Sequence, residues 1–318
     1  MRFSVIVPVY NRPREVRELL QSLTEQSFKS FEIIIVEDGS DITCREITEN
    51  FSESLNIRYY YKENSGQGFS RNFGFQKAAG EYFVVFDSDC LIPSHYFETV
   101  NQVINEKNID CWGGPDRAHD SFTPVQKAIN YSMTSIFTTG GIRGKSEKFE
   151  QFYPRSFNMG ISREVFEATG GYKITRMGED LELSIRISKA GFRTVLIKDA
   201  YVYHKRRSTF IQFFKQLHFF GRARVNIGRF HPEQIKLMHT FPLLFTVGFI
   251  VALTSVLLSI PVFKYLIIGY LLYALLLAAD SYIEEKNPVI SLYSVIAGFI
   301  QLTGYGFGFA GELFKSRK

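Results

Sequence analysis

Two periods of apolar and polar positions alternate along the first part of this chain. The runs "FSVIVPVY", "FEIIIVEDGS", "NIRYYYKE" and "EYFVVFDSD" are short, apolar and rich in branched and aromatic residues, and each stops at a polar or glycine-containing cluster. Helical spacing separates them. "PREVRELLQSL" places Val16, Leu19, Leu20 and Leu23 on one face and opens on Pro13, a favoured first helical residue. "REITENF" reads as a second short helix and "GQGFSRNFGFQKAAG" as a third, ending at Gly80. The order β-α-β-α-β-α-β predicts a Rossmann-like, mostly parallel sheet with helices on both faces, and the near-continuous apolar run of "FEIIIV" fits a strand buried on both sides.

Beyond Asp89 the pattern is less regular. "DCWGGP" predicts a strand, 124–137 a helix, and "TTGGIRGKSEKFEQ" a mobile loop. "NMGISREVFEATGGY" reads as a loop and a short helix, "GEDLELSIRISKAGFR" as a helix with an acidic start, and "RTVLIKDAYVYH" as two short strands. "STFIQFFKQLHFFGRAR" puts Phe210, Phe213, Phe214, Leu217 and Phe220 on one face, an amphipathic helix suited to a membrane surface. Nearly uncharged stretches follow at 240–260, 265–279 and 288–309. A bilayer-spanning helix needs about 20 apolar residues, so the first and third fit and the middle one is short unless flanking residues join it.

Composition sharpens this division. The chain has 318 residues, 45% hydrophobic and 15% aromatic, which allows one large domain with a smaller companion. The formal net charge of +5 does not point to nucleic acid, because bases gather just before the first apolar stretch: Lys205, Arg206, Arg207, Lys215, Arg222, Arg224, Arg229 and Lys236. Juxtamembrane bases of this kind mark the cytoplasmic side. Three crossings would carry the basic tail "KSRK" to the far side, which makes the middle stretch the first suspect for a re-entrant or interfacial segment. Cys44, Cys90 and Cys111 have no metal-like spacing and fit free thiols. The opening "FSVIVPVY" contains Pro8 and reads as a strand, with no leader pattern.

Candidate chemistry sits at the ends of the strands, where open α/β sheets bind ligands. Asp87 and Asp89, spaced by two after a buried strand, would point the same way and offer hard oxygen ligands to a divalent cation, or form a turn. Asp38 in "VEDGS" would accept from a base or ribose, or close an Asx turn. Arg71 would meet a diphosphate or orient a carboxylate, or form a surface pair. Glu179 and Asp180 open a helix, as a general base or as a cap, and His204 ends a strand.

The ordered set "SVIVPVYNR", "IIIVEDGS", "NSGQGFSRNFG", "FDSD", "NMG" and "GEDLELSIRISKAG" resembles the inverting family 2 glycosyltransferases of GT-A nucleotide-sugar fold, over roughly residues 1–204. The resemblance implies a donor pocket lined by Pro8, Tyr10, Asn11 and Asp38, with Arg71 near the diphosphate and Asp87 and Ser88 at the ribose and metal edge. It implies Mn²⁺ or Mg²⁺ on Asp89, with Asp87 and His204 beside it. Asn158, Met159 and Gly160 would form the sugar and acceptor wall, and Asp180 would be the base with Glu179 in support. The expected protein is a membrane-held enzyme: a catalytic domain over 1–204, a basic interfacial segment over 205–239, and two or three transmembrane helices over 240–318. Its expected partners are a UDP- or GDP-sugar and a glycan or lipid-linked acceptor. No Q-x-x-R-W motif is present, which argues for single additions, and "CLIP" after Asp89 departs from the run found in many polyprenyl-phosphate sugar transferases. A nucleotidyltransferase would carry a glycine-rich loop after the first strand, which "VYNRPRE" lacks; a non-catalytic membrane scaffold is the third alternative.

Overall fold

A computed structural model describes residues 1–117, 122–140, 152–260 and 264–315. The chain divides into two compact units. In described residues, the first holds 1–117 and 152–205, and the second holds 122–140, 206–260 and 264–315. The predicted mobile loop lies mostly outside the described residues.

The first unit is built on a seven-stranded sheet. Strands β1 (Phe3–Val9), β2 (Phe31–Asp38), β3 (Ile57–Lys62) and β4 (Tyr82–Phe86) alternate with helices α1 (Pro13–Thr24), α2 (Arg45–Asn50) and α3 (Gln67–Lys77), as the periodicity predicts. After a two-residue strand β5 (Cys90–Leu91) comes helix α4 (Tyr96–Lys107), and then strands β6 (Cys111–Gly113) and β7 (Asp116–Arg117). Strand β8 (Asn158–Ser162), helices α7 (Arg163–Thr169) and α8 (Glu179–Lys189), and strands β9 (Thr194–Leu196) and β10 (Val202–His204) complete the unit. The main sheet runs β3-β2-β1-β4-β8-β6-β9, with β8 antiparallel to both of its neighbours. The sheet is therefore mostly parallel, and "NMGIS", expected as a loop, is one of its central strands.

Alternation across the sheet explains the unbroken apolar strands. Val5, Val7, Ile33, Ile35 and Val84 face one way, against Val16, Leu19, Leu20 and Leu23 of α1 and Phe97 and Val100 of α4. Ile6, Ile34, Val36, Phe83 and Val85 face the other way, against Phe75 of α3 and Leu183 and Ile187 of α8. Helix α4, which the sequence reading passed over, buries Tyr96, Phe97, Val100 and Ile104 and stops where Asn108 takes a left-handed φ of 47°.

Chain reversal locates the ligand crevice. From β1 the sheet grows through β2 to β3 on one side and starts again with β4 on the other. Ligands bind outside the carboxyl ends at such a switch point. Pro8 marks the place: the β1–β4 ladder ends at Ile6 paired with Val85, so at Pro8 only β2 remains as a partner. A small second sheet, β5-β10-β7, pairs His204 with Cys90 and so carries the late histidine to the segment just after Asp89.

The second unit is helical. It comprises α5 (Pro124–Thr134), α6 (Ile136–Thr139), α9 (Phe210–Phe230), α10 (Phe241–Leu257), α11 (Lys264–Glu285) and α12 (Pro288–Leu313). Three stretches, Leu237–Leu257, Tyr265–Glu285 and Pro288–Leu313, are long and apolar enough to cross a membrane. The middle one is not short, because the helix continues through Asp280 to Glu285. Helix α9 differs from its expected role as a surface helix. Its Phe213 and Leu217 are buried with Ile129 and Met133 of α5 and Ala297 of α12. Glycines bring α9 and α12 into backbone contact: a Cβ on Gly221 would lie 2.1 Å from the Tyr305 carbonyl oxygen, and one on Gly308 2.0 Å from that of His218. Two bases of the predicted polar face, Arg222 and Arg229, meet the carboxylate of Glu312 at 3.0 and 2.8 Å. Helices α5 and α6, placed by sequence inside the catalytic domain, belong to this unit.

Candidate functional site

The first cluster lies beyond β1 and β2. Asp38 ends β2 and is buried, and its carboxylate accepts from the Lys62 ammonium and from the backbone N–H groups of Ser65 and Gly66, both at 2.9 Å. Burial raises its pKa, but the Lys62 bond, the Ser65 N–H and the Ser70 hydroxyl outweigh it and hold the carboxyl below its ordinary value. Asp38 thus fixes the loop that starts α3. Asn11 holds the facing loop in a left-handed conformation with φ 54°. Its N–H donates to the Ser40 hydroxyl at 2.8 Å, and its side-chain oxygen accepts from Asp41 and Ile42 at 2.9 and 3.0 Å. Ser40 in turn donates to the fully buried Glu37. Tyr10 is exposed beside this loop and Pro8 half-buried behind it. The four residues expected around a base are therefore neighbours at one mouth of the sheet. Glu37, which holds Ser40 in that mouth, carries no signal in the sequence that marks it.

The second cluster follows β4. Asp87 and Asp89 flank a turn closed by the Cys90 N–H on the Asp87 carbonyl at 3.1 Å, with Ser88 buried between them. They do not point the same way, as extended geometry would require. Asp87 pairs with Arg71 of α3 at 2.8 Å and keeps a third of its side chain exposed, at 33%. Asp89 turns inward, accepting from Arg12 on one oxygen and lying 3.1 Å from His204 Nε2 on the other. Burial opposes its charge, yet His204 and Arg12 hold the carboxyl far below the ordinary range. The same contact raises the pKa of His204 against its own burial.

Arg71 joins this cluster to a third. Its side chain is 2% exposed, and while one Nη meets Asp87 the other lies 3.1 Å from Glu179. The guanidinium lies over the ring of Tyr172, 5.4 Å from its centre. Both Nη groups meet carboxylates, which places Arg71 as a post between two acids and matches the expectation that it orients a carboxylate. Glu179 is buried and also accepts from Gln67. Burial and then the neighbouring Asp180 raise its pKa, with Arg71 pulling the other way. Asp180 is more open and lies 3.4 Å from Arg155. Two successive left-handed residues, Met177 at φ 66° and Gly178 at φ 97°, turn the chain into α8 and present this acid pair.

Three expected site residues lie elsewhere. Asn158 is fully buried, accepting from the Tyr96 hydroxyl at 2.6 Å and donating to the Ala200 carbonyl at 2.8 Å. Met159 belongs to the core, and a Cβ on Gly160 would sit 2.0 Å from Trp112. These side chains pack the sheet, because "NMG" is a strand, and they form no wall for sugar or acceptor.

A cation would find Asp89, Cys90 and His204, whose ligand atoms lie within 4.8 Å of one another; Asp87 is not in this group. The carboxylate oxygen of Asp89 suits Mn²⁺ or Mg²⁺, and the imidazole is the softer donor of the pair. Cys90 fits less well: its sulfur is a soft donor, and burial pushes its thiol well above the ordinary value. The residues present therefore fit a hard divalent cation on Asp89 and His204, provided Arg12 moves.

A mostly parallel sheet with acids gathered beyond β2 and β4 is the layout of the GT-A nucleotide-sugar enzymes. The chain belongs to glycosyl transferase family 2, whose profile matches residues 4–170, just over half of its length. It is 39% identical over 110 residues to the glycosyltransferase GlyA of Streptococcus pneumoniae, a match covering 34% of this chain and 16% of that one. It is 35% identical over 114 residues to TarS of Staphylococcus aureus, a poly(ribitol-phosphate) β-N-acetylglucosaminyltransferase, over 35% of this chain and 20% of TarS. The match thus spans no more than about a fifth of these relatives' lengths. Among solved structures, the mannosyltransferase PcManGT of Pyrobaculum calidifontis with GDP-Man and Mn²⁺ superposes with a TM-score of 0.58 at 16% identity, over 93% of this chain and 85% of that one. S. aureus TarS 1–349 with UDP-GlcNAc gives 0.51 at 18% identity, over 96% and 90%. At these identities the likeness speaks for the fold.

Proposed function

We propose that the protein transfers a sugar from a UDP- or GDP-sugar to a hydroxyl of a membrane-associated acceptor, inverting the anomeric centre, from the cytoplasmic side of a membrane. The observation that carries this reading is Arg71, which ties the acid at the end of β4 to the acids at the start of α8. It gathers into one place a donor-side carboxylate and a base, which displacement requires on opposite sides of the sugar. The bond from the anomeric carbon to the diphosphate oxygen breaks as the acceptor oxygen bonds to that carbon. The acceptor's proton passes to Asp180, the more open of the pair, while Glu179 stays locked on Arg71 and Gln67. A divalent cation held by Asp89 and His204 would neutralise charge on the departing diphosphate. The loops of Asn11 and Asp38 would seat the nucleotide. The membrane side of the proposal draws on the three long apolar helices and the basic residues preceding them.

Purified full-length protein with Mn²⁺ and a panel of UDP- and GDP-sugars should release nucleotide in the presence of membrane lipid extract. Asp180→Asn should lower turnover about 10²–10⁴-fold, and Asp89→Asn should abolish its dependence on the cation. The absence of binding and turnover across the panel would sink the proposal.

A further inference from the structure

Asp89 is buried between two basic side chains, His204 and Arg12, and the second is the less firmly held. His204 is held on all sides: β10 pairs it with Cys90, and its ring stacks on Phe157 with centroids 5.1 Å apart. Arg12 comes from the turn between β1 and α1, and its side chain is 35% exposed, against 8% for Asp89. At the N-cap of α1 it makes no capping bond, and Asp89 is the hydrogen-bond partner its guanidinium has among the described residues. A buried carboxylate needs a compensating charge at all times. Arg12 supplies it on one carboxylate oxygen, while His204 lies against the other.

We propose that Arg12 is a placeholder for the cation: its guanidinium holds Asp89 in the donor-free protein and yields that oxygen when a divalent ion arrives. The inference rests on the metal role proposed for Asp89. It makes cation uptake an exchange of one positive group for another, so the bare protein binds the ion weakly. The arm displaced from Asp89 is long, exposed and fork-shaped, and a diphosphate is its natural next partner. Donor and cation then favour each other's binding, because the diphosphate takes up the arginine that the ion expels.

The test is a titration of the full chain in detergent with Mn²⁺ alone, free ion being followed by electron paramagnetic resonance, without nucleotide and at neutral pH. Arg12→Gln should bind Mn²⁺ at least about tenfold more tightly than the unaltered protein, since a charge-assisted bond no longer competes. Its Trp112 unfolding midpoint should be lower without the ion and rise further with it. Arg12→Lys, which keeps the charge but loses the fork, should shift affinity in the same direction by less, and it serves if the Gln variant does not fold. Equal affinity in all three proteins, or weaker binding in Arg12→Gln, overturns the placeholder role while leaving the metal reading intact. No saturable Mn²⁺ binding in any of them, with UDP or GDP added or omitted, overturns both. Binding that survives Asp89→Asn does the same by locating the ion elsewhere.

Discussion

Replacing Arg71 with Met is the sharpest probe of the site's architecture. The substitution keeps much of the side-chain volume and removes a guanidinium that is 2% exposed. Two acids lose a partner, and they are not equivalent. Asp87 is one-third exposed, so water screens it and its share is under about 1 kcal/mol. Glu179 has a side chain only 6% exposed and is left with Gln67 as its remaining side-chain partner. Orphaning one member of a buried pair costs about 3–5 kcal/mol. For a unit of this size, each kcal/mol moves the midpoint roughly 2–4 °C, so the expected fall is roughly 6–20 °C. The assay is unusually clean, because the chain has one tryptophan and it is buried in the first unit, so its fluorescence reports that unit alone. Adding Glu179→Gln to the Met variant should restore at least half of the loss, since the stranded charge is gone. A midpoint within about 2 °C of the unaltered protein, or no recovery in the double variant, would show that Arg71 does not bridge buried acids.

Two further outcomes follow from the geometry. Asp38→Asn should destabilise the first unit by about 1.5–3 kcal/mol at neutral pH; because the folded-state pKa of Asp38 is lowered, its contribution is present above the unfolded value near about 3.9 and is lost in more acid solution. Denaturant titrations should therefore show the gap closing below about pH 4, and a gap independent of pH would refute the role of the Lys62 contact. In the second unit, Gly308→Ala should prise α9 from α12 and speed tryptic cleavage at Arg222 or Arg224 in detergent, whereas an unchanged cleavage rate would show that the helices do not touch there.

The sequence revealed what depends on local pattern. The four strands and three intervening helices up to Asp89 appear as expected, since burial on both faces leaves unbroken apolar runs. The acids of the site were legible as well, because strand ends and helix starts advertise themselves. Their partners were not: Arg12 is 77 residues from Asp89, and Gln67 is 112 from Glu179. No spacing rule connects such positions. "NMG" illustrates the opposite error, for a fully buried strand with an asparagine and a glycine looks like a loop until Tyr96, Ala200 and Trp112 are seen to receive it. Helix α9 shows a genuine degeneracy: an apolar stripe serves equally against lipid headgroups or against another helix, and only the glycines of α12 decide.

The placement of α5 has a practical corollary for dividing this protein. Its chain segment lies between β7 and β8, yet Ile129 and Met133 are covered by Phe213, Leu217 and Ala297. Cutting the polypeptide after His204 would leave that greasy helix stranded inside an otherwise water-compatible fragment, inviting aggregation. A soluble version needs two incisions, one before α9 and another that excises 122–140 and rejoins the flanks. The first unit and the helical unit therefore alternate along the chain, and neither can be removed as one continuous segment.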